Sequence, residues 1–151
     1  MSFFAQVRSV PTLVSTLNVL ESMEILRIAA TRNTPAIFID PAGNRFRMVG
    51  NSLPENAGEF YTPVIGQLKQ ALPELDNGSI FEFCLPYFNS SSLKAIYLML
   101  VEIKKEIDKG KQFEVIWHVE EDDDFMSEAA ETFTEMCGIE LTLRMGLIES
   151  I

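Results

Sequence analysis

The sequence holds few of the side chains from which catalytic and metal centres are built. Its histidine count is one, His118, and its cysteines are two, Cys84 and Cys137. One histidine cannot make a His-rich metal site, and the cysteines lie far apart with no C-x-x-C spacing. Each cysteine falls in an apolar stretch, so buried, reduced thiols and a cytoplasmic location are the expectation. Basic residues are also scarce: 12 Lys and Arg against 22 Asp and Glu leave a net charge of -10. A nucleic-acid surface or an anionic membrane needs clustered positive charge, and neither is expected as a partner. No apolar run approaches the roughly 18 residues that span a bilayer. The opening "MSFFAQVRSVPTLVSTLNVL" carries Pro11 in mid-run and no A-x-A-like cleavage site, so it does not read as a secretory signal.

Phosphate-cradling and nucleophile motifs are missing too. There is no G-x-G-x-x-G, P-loop or G-x-S-x-G elbow, and Gly43, Gly50 and Gly58 read as isolated turn or boundary glycines. The acidic run Glu120 to Asp124 lacks the spaced oxygens and central glycine of a calcium loop. Acids there suit the first turn of a following helix, whose dipole favours negative charge. His118 has no carboxylate or cysteine at ligand spacing in sequence and reads as a surface or half-buried structural residue. Neither a metal nor a cofactor is expected, and the chain is not expected to be an enzyme. A small hydrolase using Ser90 or His118 is the unrelated alternative, and a structural or oligomer-forming module the blandest one.

What is present is a chain 47% hydrophobic over 151 residues, enough for one domain with a sizeable core. From Thr34 on, "PAIFID" and "RFRMVG" read as a hairpin about the turn "PAGN". "NSLPENAGEFYTPVIGQLKQAL" follows, with the S-x-x-E capping-box spacing at Ser52 and Glu55 and with Pro54 in the predicted first turn. Ala57, Phe60, Tyr61, Val64, Leu68, Ala71 and Leu72 form one helical face, and Pro63 inside it predicts a kink or a late start. "SIFEFCLPYF" reads as a third strand, Leu93 to Ile107 as a second helix and "FEVIWHV" as a fourth strand. "DDDFMSEAAETFTEMCG" is a third helix stopped at Gly138, and "IELTLRM" a fifth strand. The order ββαβαβαβ predicts an α/β domain with a mixed central sheet. Alternation in the strands makes one sheet face apolar and the other polar, so the helices should gather mainly on one face. The polar face would then be solvated, or covered by something outside the core pattern. Residues 1–22 read as an N-terminal extension, either loose or lying over that face, and 23–151 as the domain.

The stretch "LPYFNSSSLKAIYLMLVEI", Leu85 to Ile103, sets Asn89, Ser90, Ser91 and Ser92 at a strand-to-helix junction. One such residue suffices to cap a helix, a contribution of about 0.5–2 kcal/mol. Four in succession make a hydroxyl-rich tip at the C-terminal end of a strand, where α/β folds carry their working surface. A helix N-terminus is also a favourable seat for a phosphate, and Lys94, one turn after Ser90, could pair with it.

"NSSSL" in this context resembles the "DSSGL"-type phosphorylation motif of anti-sigma-factor antagonists, the STAS fold. More closely, "NSLPEN" before the first helix, "FNSSSLKAI" before the second and "WHVEEDD" after the fourth strand resemble the SiaC family of bacterial regulatory phosphoproteins, whose runs have the forms S-Y-P-E-N and N-T-S-S-I-K. The resemblance covers Met23 to Arg144 and implies a STAS-like fold. It puts Ser90 at the family's phosphorylated threonine, with Ser91 and Ser92 as competing acceptors. Asn89, Ser91, Ser92, Lys94, Ser52, Pro54, Glu55 and Asn56 would surround the phosphosite and the partner surface. The chain departs in having serine for that threonine and Asn89 for the STAS aspartate. Such proteins are implied to be switched by a SiaB-like Ser/Thr kinase and a SiaA-like PP2C-type phosphatase. The unmodified form would activate a diguanylate cyclase, raising cyclic-di-GMP and favouring biofilm, or bind another effector. An anti-sigma-factor antagonist in a partner-switching system is the alternative.

Overall fold

The computed structural model describes residues 25–148; the expected extension, 1–22, lies outside the described residues. Six strands, β1 (Leu26–Ile28), β2 (Ala36–Asp40), β3 (Arg45–Val49), β4 (Ile80–Cys84), β5 (Glu114–Val119) and β6 (Thr142–Met145), pair in simple sequence order into one sheet. The helices are α1 (Ala57–Ala71), α2 (Ser90–Asp108) and α3 (Asp124–Cys137). Strands β1, β2 and β3 pair antiparallel, while β3 to β6 are parallel, so the sheet is mixed as expected. The three-residue β1 is an addition to the predicted order; so short a strand carries no readable alternation.

Topology dictates where the helices go. Each of α1, α2 and α3 joins one parallel strand to its immediate neighbour, always advancing in the same direction across the sheet. Right-handed crossovers that never reverse direction place every helix on one face. The apolar rows of the strands point to that face. Ile39, Phe46, Phe81 and Val115 make one row, and Ile37, Met48, Phe83 and Trp117 the next, all buried. Against them pack Tyr61, Val64 and Leu68 of α1, Ile96, Met99, Leu100 and Ile103 of α2, and Met126, Ala130 and Phe133 of α3. Each of the large aliphatic and Phe side chains contributes about 1.5–3 kcal/mol on leaving water. Trp117 also satisfies its indole N–H, which donates to the Met126 carbonyl over 3.1 Å. Pro63 lies within α1 without ending it. Its side is exposed, so the carbonyl it leaves unpaired can bond water.

The opposite face is not simply solvated. Cys84, Ile116, His118 and Glu82 all point there, and all four are buried. The Arg47 Nε donates to Glu82 Oε1 at 3.0 Å, and His118 Nε2 lies 3.0 Å from Glu82 Oε2. A carboxylate can only accept, so the imidazole proton sits on Nε2 in this pair. Burial pushes the Glu82 carboxyl up, but the His118 hydrogen bond and the charges of Arg47, His118 and Arg45 outweigh it and hold it below its ordinary value. The Ile148 N–H reaches the Cys84 Sγ at 3.4 Å, so residues 146–148 fold back over this face. The expectation of a surface or half-buried His118 is therefore corrected. Its acid partner comes from the neighbouring strand, far away in sequence.

Candidate functional site

The serine tip forms where β4 runs out. After Cys84 the chain passes through Pro86, Tyr87 and Phe88, then enters α2. Asn89 is the N-cap, with extended backbone, and its Oδ1 accepts from the Ser92 N–H at 3.0 Å. Ser90 is the first residue of the helix, three positions ahead of the predicted start at Leu93. Ser90 and Ser91 are exposed, whereas Ser92 is fully buried. The Ser91 hydroxyl donates to Asn89 Oδ1 at 3.0 Å. The first turn of α2 holds no acid, while α1 has Glu59 there and α3 has Asp124. The positive end of the α2 dipole thus points at exposed hydroxyls without a counter-charge.

The run Ser52 to Asn56 meets this tip, though not as a capping box. The chain turns at Gly50, whose φ of 127° strains any residue with a side chain and where an added Cβ would crowd the Pro35 Cα at 3.3 Å. Ser52 then pairs with Phe88 in an isolated parallel bridge: its N–H donates to the Tyr87 carbonyl, and its carbonyl accepts from the Asn89 N–H, both at 2.9 Å. Helix α1 begins five residues after Ser52, at Ala57, and Asn56 is its cap, accepting from the Glu59 N–H at 3.0 Å. Pro54 is buried, while Glu55 and Asn56 are exposed.

Beneath the tip lies a buried hydroxyl chain. Ser52 Oγ is 2.5 Å from the Tyr61 hydroxyl and 2.7 Å from Ser92 Oγ. Ser92 Oγ has Asn89 Oδ1 at 2.8 Å and the Ser52 carbonyl at 3.0 Å. Each hydroxyl has one proton, and one order satisfies all of them: Tyr61 donates to Ser52, Ser52 to Ser92, and Ser92 to Asn89 or to the Ser52 carbonyl. Burial pushes the Tyr61 phenol up to about 12, although the bonds with Ser52 and Ser92 pull the other way. The chain ties the loop at 52, α1 and the start of α2 into one unit. It contains no acid or imidazole that could make a serine nucleophilic. His118, on the other sheet face, is engaged by Glu82.

Above it, α1 and α2 bound a groove of about 550 Å³. Gly58, Tyr61, Thr62 and Ile65 line one wall; Ser90, Ser91, Lys94 and Leu98 line the other. Lys94 is its one charged lining residue and shares it with Ser90, one turn earlier. Around the tip, Tyr87, Leu93, Leu98 and Phe125 expose between 37% and 60% of their surface, although their side chains are large and apolar. Phe125 stacks near Phe88, ring centroids 6.0 Å apart, and so belongs to the same patch. Exposed apolar residues gathered beside a polar tip are a feature that interaction surfaces share. These four were not singled out from sequence, where an exposed Phe125 reads as one more apolar residue of α3.

The SiaC family regulatory phosphoprotein pattern matches residues 28–145. This chain belongs to the SiaC family. A protein of Pseudomonas aeruginosa (strain UCBPP-PA14) is 30% identical over 122 residues, 81% of this chain and 97% of the relative. The crystal structure of apo-SiaC from Pseudomonas aeruginosa is similar with a TM-score of 0.72 and 30% identity, covering 80% of this chain and 98% of that one. The SiaC chain in the crystal structure of the diguanylate cyclase SiaD with its activator SiaC, from the same organism, gives a TM-score of 0.74 at 30% identity, covering 80% and 99%. Among the described residues of this SiaC-family chain, no helix is long and apolar enough to cross a membrane. No group of His, Cys, Asp and Glu among them could hold a metal ion.

Proposed function

We propose that this chain is a non-enzymatic activator of a diguanylate cyclase, and that reversible phosphorylation of Ser90 switches it off. The strongest support is the pairing of two features at one tip: an exposed hydroxyl at the N-terminus of α2, whose first turn holds no acid, and the groove and exposed apolar side chains beside it. The related SiaC is an activator bound to such a cyclase. A Ser/Thr kinase of the SiaB kind would add the phosphate and a PP2C-type phosphatase remove it, in the cytoplasm, with the output read in cyclic-di-GMP and biofilm. Ser91 is the competing acceptor by exposure, while the buried hydroxyl of Ser92 is out of a kinase's reach.

The mechanism is local. A phosphate carries about -1.5 to -2 charges and a tight hydration shell. At the rim of the groove it would have to be desolvated beneath an incoming apolar segment, at the expense of the complex. A loss of about 2.8 kcal/mol, a hundredfold, turns a micromolar complex off. The test is cyclase binding and turnover with Ser90→Ala and Ser90→Asp, together with mass-spectrometric mapping of the phosphate after co-expression with the kinase. Ser90→Ala is expected to stay constitutively binding and Ser90→Asp to bind poorly. Equal affinity in both variants would refute the switch, and modification elsewhere would refute the assignment to Ser90.

A further inference from the structure

Among the described residues, the helix-bearing face of the sheet is left partly bare at β6. Helix α3 packs on α2 and over β5, and the chain supplies no further crossover beyond it among the described residues. The sheet register continues regardless. Leu143 pairs beside Trp117 and Met145 beside Val119, in the rows that are buried elsewhere. Trp117 and Val119 are 1% exposed, whereas Leu143 is 44% and Met145 61% exposed. Between α3 and β6 runs a groove of about 390 Å³, lined by Ala130, Glu131, Thr134 and Glu135 on the helix side and by Leu141 and Leu143 on the strand side. At its end the acids Glu120 to Asp123 meet Met145 and Leu147 around a second hollow of about 650 Å³. No Lys or Arg lines either one.

We propose that the α3–β6 groove is a docking site for a basic amphipathic helix of another protein, distinct from the serine groove and independent of the cyclase reading. The shape calls for a helix. An added strand would pair with the edge of β6 but leave the helix-side faces of Leu143 and Met145 bare, whereas a helix laid beside α3 covers both, as α3 covers β5. The charge calls for a basic flank, since Glu131, Glu135 and the acidic run frame an apolar floor. A second copy of this chain would bring the same acids against them, and anionic lipid headgroups would be repelled likewise.

The probe is a fluorescein-labelled synthetic helix of about 18 residues, five turns, with leucine on one face and lysine on the other. A twin carries glutamate in place of lysine. Binding to the full chain is read by anisotropy and located by amide hydrogen exchange. The lysine helix is expected to bind and to protect residues 129–136 and 141–145. Leu143→Asp, or the milder Leu143→Ser, should weaken it by about tenfold or more, as loss of a central apolar anchor does. The double reversal Glu131→Lys with Glu135→Lys should reject the lysine helix and accept the glutamate helix. Ser90→Asp should leave binding unchanged, which separates this site from the phosphorylation switch. Protection mapped elsewhere, indifference to the Leu143 variants, or no exchange of preference on charge reversal would overturn the proposal. So would a dimer in sedimentation that Leu143→Asp dissolves, because a second copy would then be the occupant.

Discussion

Ser90 stands at the first position of α2 with no acid in its turn, so a negative charge there meets the positive end of the helix dipole. Ser90→Asp should therefore raise stability by about 0.3–1 kcal/mol in urea unfolding, even as it weakens the partner complex. That combination would separate a lost interface from a lost fold; a destabilised variant would contradict the geometry of the tip. Tyr61 makes a second prediction. Its phenol is held neutral by burial, with its pKa pushed from 10.0 to about 12. A raised folded-state value means the contribution is whole below pH 10 and fades as pH climbs from 10 towards 12. At its fullest it amounts to about 2–3 kcal/mol, and Tyr61→Phe should remove that part of the alkaline slope in unfolding titrations. At this scale the sequence showed which residue types crowd the tip but not their depth. "SSS" carries no mark that its third member turns inward, because the groups that bury Ser92 come from position 52 and from α1.

The hydroxyl chain makes the start of α2 depend on Asn89, whose Oδ1 holds the Ser92 N–H and lies within reach of the Ser91 and Ser92 hydroxyls. Asn89→Ala should cost about 1–2 kcal/mol, towards the upper end for a cap, while Asn89→Asp keeps the acceptor and should lose little. Chemical denaturation of the two variants side by side checks this. Across the sheet, Glu82 on β4 is the single acid between Arg47 and His118, so Glu82→Ala leaves two buried or half-buried donors unmatched. A loss of about 3–5 kcal/mol is expected near neutral pH. Because the carboxyl is held below its ordinary value, its contribution is present above the unfolded-state pKa and disappears as pH falls through the folded one. The variant should accordingly show a shallower acid limb in thermal melts.

Helices were legible wherever a long apolar face repeats, as along Tyr61, Val64 and Leu68. The acids at Asp123 and Asp124 also marked the start of α3, but the starts of α1 and α2 were misplaced. Ser52, Pro54 and Glu55 satisfy a local capping pattern, yet Ser52 is claimed by Phe88, Tyr61 and Ser92, contacts that no window of a few residues contains. The short β1 and the pairing of His118 with Glu82 escaped for the same reason. Both are properties of strand register rather than of local sequence.

Over the described residues the molecule is an unreversed march of strands with its three helices on one side. Among these residues no switch in strand order opens the crevice in which doubly wound sheets bind nucleotides. What this topology offers instead is helix N-termini and the seams between helices, surfaces suited to other proteins. Its net charge of -10 bears on how a switch at Ser90 would work. One phosphate changes that total by at most about a fifth, so a mechanism acting through the long-range field would be weak, and salt would erase it as the Debye length falls from about 10 Å at 0.1 M to about 3 Å at 1 M. Desolvation of a phosphate beneath a docked apolar segment does not screen in this way. The ratio of cyclase affinities between unmodified and Ser90-phosphorylated protein should therefore stay near a hundredfold across that range of salt, even if both affinities drift together. Calorimetric titrations at several ionic strengths decide it: a ratio collapsing towards one in high salt would mean that repulsion at a distance, and not the groove between α1 and α2, carries the signal.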